Sequence, residues 1–336
     1  MSTPFAIDGR AIGAGAPPYL VAEIGINHGG DADVAIGLVR AAKEAGADAA
    51  KLQAFVPGEL LARSSRYFDL LAGCALDQEA VRALAAAAKD IGLPLFSAAF
   101  DEPSVDLLAA LDVPAFKVAS GDITHLPLLR HIGELGKPVI LSTGGASIGE
   151  IEAALAALGA GPGSVPVALL HCVSHYPTRP EEANLACIAT MKAQFGLPVG
   201  FSDHTLGAAT AIAAVALGAD VIEKHFTFDR AAEGPDHALS AEPEELARIA
   251  LGMQAAWRAI GRPAKAPVES GEHIAQIRRS VTARTPITKG TRLTAAMLAV
   301  KRPGTGIAPG RLDDVIGRRA RRDLDADQTL SWDLLD

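Results

Sequence analysis

Residues 19–55 have the sequence YLVAEIGINHGGDADVAIGLVRAAKEAGADAAKLQAF, which contains one complete strand–helix–strand unit. The short apolar runs 19–26 and 49–55 predict buried strands, and segment 33–45 between them has apolar residues at helical spacing. Gly46 follows this segment, where a C-cap glycine is expected. Apolar strands that are joined by helices are typical of a parallel sheet covered on both faces.

The same alternation of short apolar runs and helical segments continues along the chain. Further strands are predicted at residues 94–100, 115–120, 138–143, 167–172, 198–203 and 221–227. Further helices are predicted at residues 77–91, 104–111, 148–158, 182–195 and 208–217, with Gly92, Gly196 and Gly218 as C-caps. Eight such units within about 250 residues predict a closed (β/α)8 TIM barrel.

The pattern changes after Trp257. Residues 261–271 contain Pro263 and Pro267 and have the composition of a linker. From Arg278 onward, short apolar runs alternate with turns, and the segment is basic up to Arg322 although the whole chain is acidic. We therefore predict a catalytic barrel at residues 1–260, a linker at 261–277 and a small β-rich domain at 278–336.

Composition excludes several classes of protein. Hydrophobic residues make up 49% of the 336 residues and charged residues 21%, which is typical of a globular protein with a large core. The net charge of −8 argues against nucleic-acid binding. The three cysteines have no C-x-x-C spacing, so they predict neither a disulfide framework nor a zinc cage. No apolar run has the length of a membrane span or a signal peptide, and we expect a cytoplasmic protein.

Polar residues follow strand after strand, where the C-terminal ends of barrel strands converge on one mouth. Each alone has an ordinary explanation: a strand lysine is usually a surface residue, and a serine after a strand is usually a helix N-cap. Their coincidence favours a site, because a buried charge costs several kcal/mol unless it is paired. The residues are Glu23, Asn27, His28, Lys51, Gln53, Lys117, Ser120, Asp122, Ser142, His171, Ser174, Tyr176, Ser202, Asp203, His204, Glu223, Lys224 and His225.

These residue types have a shared chemical logic. Two cations, Lys51 and Lys117, predict a bound anion, and the nearby serine hydroxyls could bind a phosphate and a carboxylate. His204 and His225 follow consecutive strands, so both imidazoles could reach one ion. Two histidines leave open coordination positions, which suits Mn2+, Mg2+ or Co2+ as a Lewis acid better than structural zinc. The alternative is that both histidines are hydrogen-bonded core residues.

In their order along the chain, the polar motifs resemble those of the sialic acid synthase family. The C-terminal segments Arg278-Arg279-Ser280 and Lys301-Arg302-Pro303-Gly304-Thr305-Gly306-Ile307 resemble the antifreeze-like (SAF) domain that follows the barrel in this family. The matching barrel motifs are Ala22-Glu23-Ile24-Gly25-Ile26-Asn27-His28-Gly29-Gly30, Lys51-Leu52-Gln53, Ser120-Gly121-Asp122, Leu141-Ser142-Thr143-Gly144, His171-Cys172-Val173-Ser174-His175-Tyr176-Pro177, Phe201-Ser202-Asp203-His204-Thr205, Glu223-Lys224-His225-Phe226 and Gly234-Pro235-Asp236.

The resemblance implies a sialic-acid-type synthase, which condenses phosphoenolpyruvate with N-acetylmannosamine or a related 2-acylamino hexose and releases phosphate with C–O cleavage. It implies that His204 and His225 hold the divalent metal, with Mn2+ as the first expectation, and that Glu23 is the acid/base. It also implies a domain-swapped homodimer, in which Arg302 of one subunit reaches the sugar bound by the other. The implied phosphoenolpyruvate ligands are Lys51, Lys117, Ser120, Ser142, Ser174 and Ser202, and the implied sugar ligands are Gln53, Asp122, Tyr176 and Asp236.

Several alternatives remain open on the sequence. Ser174 and Asp122 stand where bacterial neuraminate synthases typically have Asn and Glu, so the product could be neuraminate, legionaminate, pseudaminate or a spore-coat sugar. A metal-dependent barrel hydrolase is a second class, but it normally uses more histidine or carboxylate ligands. A non-catalytic carbohydrate-binding protein is a third class, and it leaves Lys51 and Lys117 without a role.

Overall fold

The computed structural model describes residues 4–161 and 163–336. Two short strands, β1 (Phe5–Ile7) and β2 (Arg10–Ile12), form an antiparallel hairpin ahead of a closed barrel. The barrel strands are β3 (Tyr19–Gly25), β4 (Ala49–Ala54), β5 (Leu95–Ala99), β6 (Phe116–Val118), β7 (Val139–Ser142), β8 (Val167–Cys172), β9 (Val199–Asp203) and β10 (Val221–His225). Neighbouring strands are parallel, and β10 pairs with β3 to close the barrel.

Helices separate the strands, which confirms the predicted (β/α)8 barrel. The helix α1 begins after Asp31, whose carboxylate accepts hydrogen bonds from Asp33 N and Val34 N. The helices of the barrel are α1 (Ala32–Glu44), α2 (Pro57–Leu60), α3 (Phe68–Cys74), α4 (Gln78–Ile91), α5 (Glu102–Ala110), α6 (Leu126–Glu134), α7 (Ile148–Leu158), α8 (Cys187–Phe195), α9 (Ala209–Ala216) and α10 (Pro243–Ile260).

Some predicted boundaries differ from the structure. Gly92 and Gly196 are left-handed C-caps as predicted, whereas Gly46 and Gly218 lie one residue beyond the caps of α1 and α9. Helix α8 begins at Cys187 and not at residue 182. The reason is local: Pro180–Glu182 forms a single 3-10 turn, and Asn184 has a φ of 43°, which interrupts a helix.

The chain divides into two compact units after Gly261. In Arg262–Asp336, the helix α11 (Gly271–Ile277) precedes an antiparallel pair, β11 (Ser280–Ala283) and β12 (Leu298–Lys301), and a short helix α12 (Leu312–Val315). Isolated bridges such as that between Ile287 and Leu324 complete this β-rich unit. The predicted linker is too long at its C-terminal end, because Ser270 caps α11 by accepting a hydrogen bond from His273 N. Among the described residues, no helix combines the length and apolarity that a bilayer crossing requires.

Candidate functional site

Four charged side chains fill the barrel mouth, by which we mean the C-terminal ends of strands β3 to β10. The Lys51 ammonium lies 2.8 Å from Glu23 Oε1 and 3.6 Å from Glu223 Oε1. The Lys117 ammonium lies 3.7 Å from the same Glu223 oxygen. None of the four residues is more than 4% exposed. The two predicted anion-binding lysines therefore converge, and two carboxylates face them.

Glu223 is the member of this group to which sequence reasoning gave no role. Parallel pairing places Glu223 beside Ser202 of β9 and beside Val21 of β3. Val21 is two residues before Glu23, so the side chains of Glu223 and Glu23 point to the same face of the sheet. Ser202 donates a hydrogen bond to Glu223 Oε1 at 3.2 Å. The alternation of side chains along a strand was the available signal, since His225 and Glu223 are two residues apart and must face the same side.

The pKa values of the group reflect burial and mutual charge. Burial raises the pKa of Glu23 to about 7, against the opposing effect of Lys51. Burial also lowers the pKa of Lys117. For Lys51, burial acts in the same downward direction, but Glu223 and Glu23 outweigh it and raise the pKa. Glu23 is therefore able to exchange a proton near neutral pH.

Hydroxyl and amide groups extend the polar surface away from the lysines. Lys117 donates a hydrogen bond to Ser142 Oγ at 2.7 Å. The Gly144 amide donates to Ser120 Oγ at 2.9 Å, and Ser120 Oγ lies 3.1 Å from Cys172 Sγ. These donors form a continuous strip along the ends of β6, β7 and β8, adjacent to the Lys117 ammonium.

Gly144 packs closely against three side chains at the ends of β6 and β8. A Cβ at this position would lie 2.8 Å from Cys172 Sγ and 2.9 Å from Ser120 Oγ, and closer still to Ser174 Oγ. We call Gly144, Ser120, Cys172 and Ser174 the Gly144 cluster. The Gly144 amide holds Ser120 Oγ in place, and the hydroxyls of Ser120 and Ser174 lie together with the Cys172 thiol. The predicted Ser120 and Ser174 thus meet here, and Cys172 is a member that the sequence did not indicate.

The two predicted metal-binding histidines lie side by side. The ring centroids of His204 and His225 are 5.5 Å apart. His204 Nδ1 lies 2.7 Å from the Val173 carbonyl, so Nδ1 carries the proton and Nε2 keeps a free lone pair. His225 Nδ1 is buried without a hydrogen-bond partner, and its nearest acid is Asp236 Oδ2 at 3.6 Å.

Both histidines have a protonation state that would allow them to bind a cation. Burial lowers the pKa of both rings, to about 4 for His204, so both are neutral at neutral pH and able to bind a cation. The His204 proton that points to a backbone carbonyl is the usual outer partner of a metal-binding histidine. Within residues 4–161 and 163–336, no three His, Cys, Asp or Glu side chains are arranged to hold a metal. The residues therefore fit an ion that keeps open positions for water and substrate oxygens.

Two of the predicted sugar-binding residues, Tyr176 and Asp236, lie beside this pair. The Tyr176 ring lies 4.3 Å from the His204 ring between centroids, and Gln53 donates to Glu23 Oε1 at 2.9 Å. Asp122 ends the 3-10 turn after β6, and burial raises its pKa to about 6. Arg302 lies in the second unit, directly after β12, and is exposed. Its role at a sugar site stays a prediction.

Comparison with known proteins gives the family of the chain. The sequence profile of the NeuB family matches residues 38–265. The chain belongs to the NeuB family. The SAF domain profile matches residues 278–336, the segment predicted to form the small C-terminal domain. Both matches confirm the resemblance to sialic acid synthases.

Relatives in the NeuB family cover nearly the whole chain. An uncharacterized protein of Methanocaldococcus jannaschii is 43% identical, over 97% of this chain and 97% of its own. The N,N'-diacetyllegionaminic acid synthase of Legionella pneumophila is 38% identical, over 94% of each chain. The crystal structure of N-acetylneuraminic acid synthetase from Leptospira borgpetersenii has a TM-score of 0.77 at 34% identity, and the match covers 81% of this chain and 95% of that one. This protein is therefore an enzyme of the sialic acid synthase family.

Proposed function

We propose that this protein joins phosphoenolpyruvate to the aldehyde of a 2-acylamino hexose and forms a nonulosonic acid and phosphate. The observation that supports this reaction best is the meeting, in one barrel mouth, of two buried lysines, the Gly144 cluster and the pair His204 and His225. The lysines and the cluster suit an anion with a phosphate and a carboxylate, and the histidines suit a divalent ion next to it.

The phosphoenolpyruvate end of the site is assigned to Lys51, Lys117 and the Gly144 cluster. Ser142 accepts a hydrogen bond from Lys117, and Ser202 donates one to Glu223, the carboxylate that faces both lysines. The hydroxyls of Ser120 and Ser174 would hold the phosphate, with Ser120 Oγ positioned by the Gly144 amide. The lysine ammoniums would neutralise the developing negative charge of the leaving phosphate. Donors held in position before the reaction need no rearrangement as charge develops.

The reaction needs one new carbon–carbon bond and the addition of water. C3 of phosphoenolpyruvate attacks the aldehyde carbon, water adds at C2, and the resulting hemiketal phosphate loses phosphate by C–O cleavage. Glu23 would serve as the acid/base of this reaction, because its pKa of about 7 lets it both donate and accept a proton near neutral pH. Gln53 holds Glu23 Oε1 in place, while Oε2 is buried and free of partners.

A divalent ion at His204 and His225, which we propose to be Mn2+ with Mg2+ and Co2+ as alternatives, would polarise the sugar aldehyde. Tyr176 covers His204 from the solvent side and would limit the access of bulk water. Asp236, which is 3.6 Å from His225 Nδ1, would orient that ring and contact the sugar.

A 2,4-diacetamido hexose is the first acceptor to test, because the Legionella relative at 38% identity is an N,N'-diacetyllegionaminic acid synthase. N-acetylmannosamine is the second. We also propose a cytoplasmic homodimer in which the SAF domain of one chain brings Arg302 to the sugar of the other. The acylamino group would accept a hydrogen bond from this guanidinium.

The decisive experiment measures phosphate release from phosphoenolpyruvate with each acceptor, and identifies the product by mass. We expect release only when sugar and divalent ion are both present, with loss on chelation. The variant His225→Ala should lose metal-dependent turnover and keep its fold. A barrel hydrolase or a carbohydrate-binding protein would release no phosphate, and unchanged turnover of the variant in metal-free buffer would refute the metal assignment.

A further inference from the structure

A fully buried ion pair joins strands β9 and β10 next to the histidines. The Lys224 ammonium lies 3.0 Å from Asp203 Oδ2, and neither residue has any exposed surface. Lys224 also donates a hydrogen bond to the Thr205 carbonyl. The mechanism proposed above uses none of these three residues.

The ion pair lies on the opposite face of the strands from the reacting groups. Strand pairing sets Lys224 beside Asp203 and sets Glu223 beside Ser202. Because successive side chains point to opposite faces, the Ser202–Glu223 contact lies in the barrel mouth and the Asp203–Lys224 contact lies between the barrel and its helices. Asp203 directly precedes His204, and Lys224 directly precedes His225.

The contacts of Asp203 also fix the turn that carries His204. Asp203 Oδ1 accepts hydrogen bonds from Thr205 N at 2.8 Å and from Thr205 Oγ1 at 2.7 Å. These hydrogen bonds join the residue before His204 to the residue after it and so fix the conformation of the turn. The Lys224 ammonium contacts both Asp203 and the Thr205 carbonyl, which are the residues before and after His204. Lys224 itself is the residue before His225, so its contacts link the backbone at both histidines.

Stability alone is a poor explanation for such a pair. Two charges lose their hydration when they are buried, and apolar side chains of similar volume often serve a core equally well. In some proteins, buried polar or ionic groups instead fix one geometry between the elements that they join. Here the strands that it fixes are the two that end in the histidine pair.

We propose that the Asp203–Lys224 ion pair is a positioning device that sets the separation and orientation of His204 and His225 and thereby the affinity for the divalent ion. This inference rests on the proposed function, because it assumes that the histidine pair binds the ion. Asp203 and Lys224 are positioning residues, since they act through the histidines and not on the substrate.

The test is a double variant, Asp203→Asn together with Lys224→Met. Asparagine keeps an oxygen that accepts from Thr205, and methionine has a similar length without a charge, so the variant removes the link and leaves no unpaired buried charge. The control is Ser97→Ala, which removes another buried side-chain link between strands, from Ser97 Oγ to the Leu52 carbonyl at 3.0 Å. Mn2+ affinity is measured by titration with detection of free Mn2+ by electron paramagnetic resonance. Phosphoenolpyruvate affinity without metal is measured by calorimetry, and folding by thermal unfolding.

We expect the double variant to bind Mn2+ about tenfold more weakly, the lower end of the loss seen when a direct hydrogen-bond partner of a metal ligand is removed, because the ion pair acts on the histidines through the backbone. Its affinity for phosphoenolpyruvate without metal should stay within about twofold of the original, and Ser97→Ala should change neither affinity. If the double variant does not fold, Asp203→Asn alone should weaken Mn2+ binding in the same direction.

Three results would overturn the inference. Unchanged Mn2+ affinity in a folded variant would show that the ion pair does not position the histidines. An equal loss of phosphoenolpyruvate affinity would show that it supports the whole mouth. If His204→Ala and His225→Ala both bind Mn2+ as the original protein does, the proposed metal site itself is wrong, and the inference fails with it.

Discussion

The substitution Gly144→Ala tests the proposed phosphate position with a single methyl group. The new Cβ would lie 2.8 Å from Cys172 Sγ and 2.9 Å from Ser120 Oγ, whereas ordinary contacts begin near 3.4 Å. The Gly144 cluster would therefore have to open by at least about 0.5 Å around the methyl group, and by more at Ser174 Oγ. Gly144 does not have a left-handed backbone, so the effect is steric and falls on the cluster.

The expected effect is a loss of phosphoenolpyruvate binding with little loss of stability. A misplacement of about 1 Å in a reacting group can cost about a hundredfold in rate, so a shift of half that size should lower kcat/KM for phosphoenolpyruvate at least about tenfold. The KM for the sugar should change less, because the histidine pair and Tyr176 are not contacted.

The assay is steady-state phosphate release with phosphoenolpyruvate varied at saturating sugar and Mn2+. The control is Gly149→Ala on α7, where the same methyl group would meet nothing within 4 Å. Alanine in a helix should stabilise that variant by about 0.5–1 kcal/mol, without a change in kinetics. A Gly144→Ala enzyme whose KM for phosphoenolpyruvate stays within twofold of the original would refute the phosphate assignment.

Three further predictions concern the charged residues. Lys117→Met should abolish phosphoenolpyruvate binding in calorimetry and destabilise the barrel in urea by about 3 kcal/mol, because Glu223 loses one of its two lysine partners; retained binding would contradict this. Glu23→Gln should flatten the pH dependence of thermal unfolding. The pKa of Glu23 rises from 4.5 to about 7 on folding, so the native state binds more protons than the unfolded state between these pH values. The original protein therefore loses stability as the pH rises from 4.5 to about 7, and the variant should not. Parallel stability curves would argue against the raised pKa. Arg302→Ala should raise the KM for sugar more than that for phosphoenolpyruvate, and an equal rise in both would contradict the proposed sugar contact.

The barrel could be predicted from the sequence because its strands are buried on both faces and its helices have regular spacing. Strand β8, for example, is buried at every position and has the predicted bounds. The hairpin of β1 and β2 was not predicted, because three-residue strands are too short to show a period. Its signal was the turn Asp8-Gly9, where both residues have positive φ, at 47° and 74°. Short elements depend on such turn chemistry more than on hydrophobic pattern.

The site could be predicted as a set of residues but not as a network. The rule that barrel chemistry lies at the C-terminal strand ends placed Lys51, Lys117 and the histidines on one rim. It could not show that Glu223 lies between the lysines, because that contact depends on the stagger and curvature of strands that are distant in sequence. The same limit applies to Cys172 beside Ser120, whose 3.1 Å contact joins residues 52 positions apart.

The charge balance of the mouth explains why anion and cation should bind together. Lys51 and Lys117 are matched by Glu23 and Glu223, so the group has no surplus positive charge when all four are ionised. An entering phosphoenolpyruvate would find a net attraction only if Glu23 takes up a proton or if a divalent ion adds two charges at the histidines.

The histidines in turn are neutral, and a divalent ion there gains from an anion beside it. Because binding linkage is reciprocal, each ligand should strengthen the binding of the other by the same factor. Under the proposed reaction, a mouth built from balanced charges would hold each ligand weakly when the other is absent, which suits the release of phosphate after each turnover.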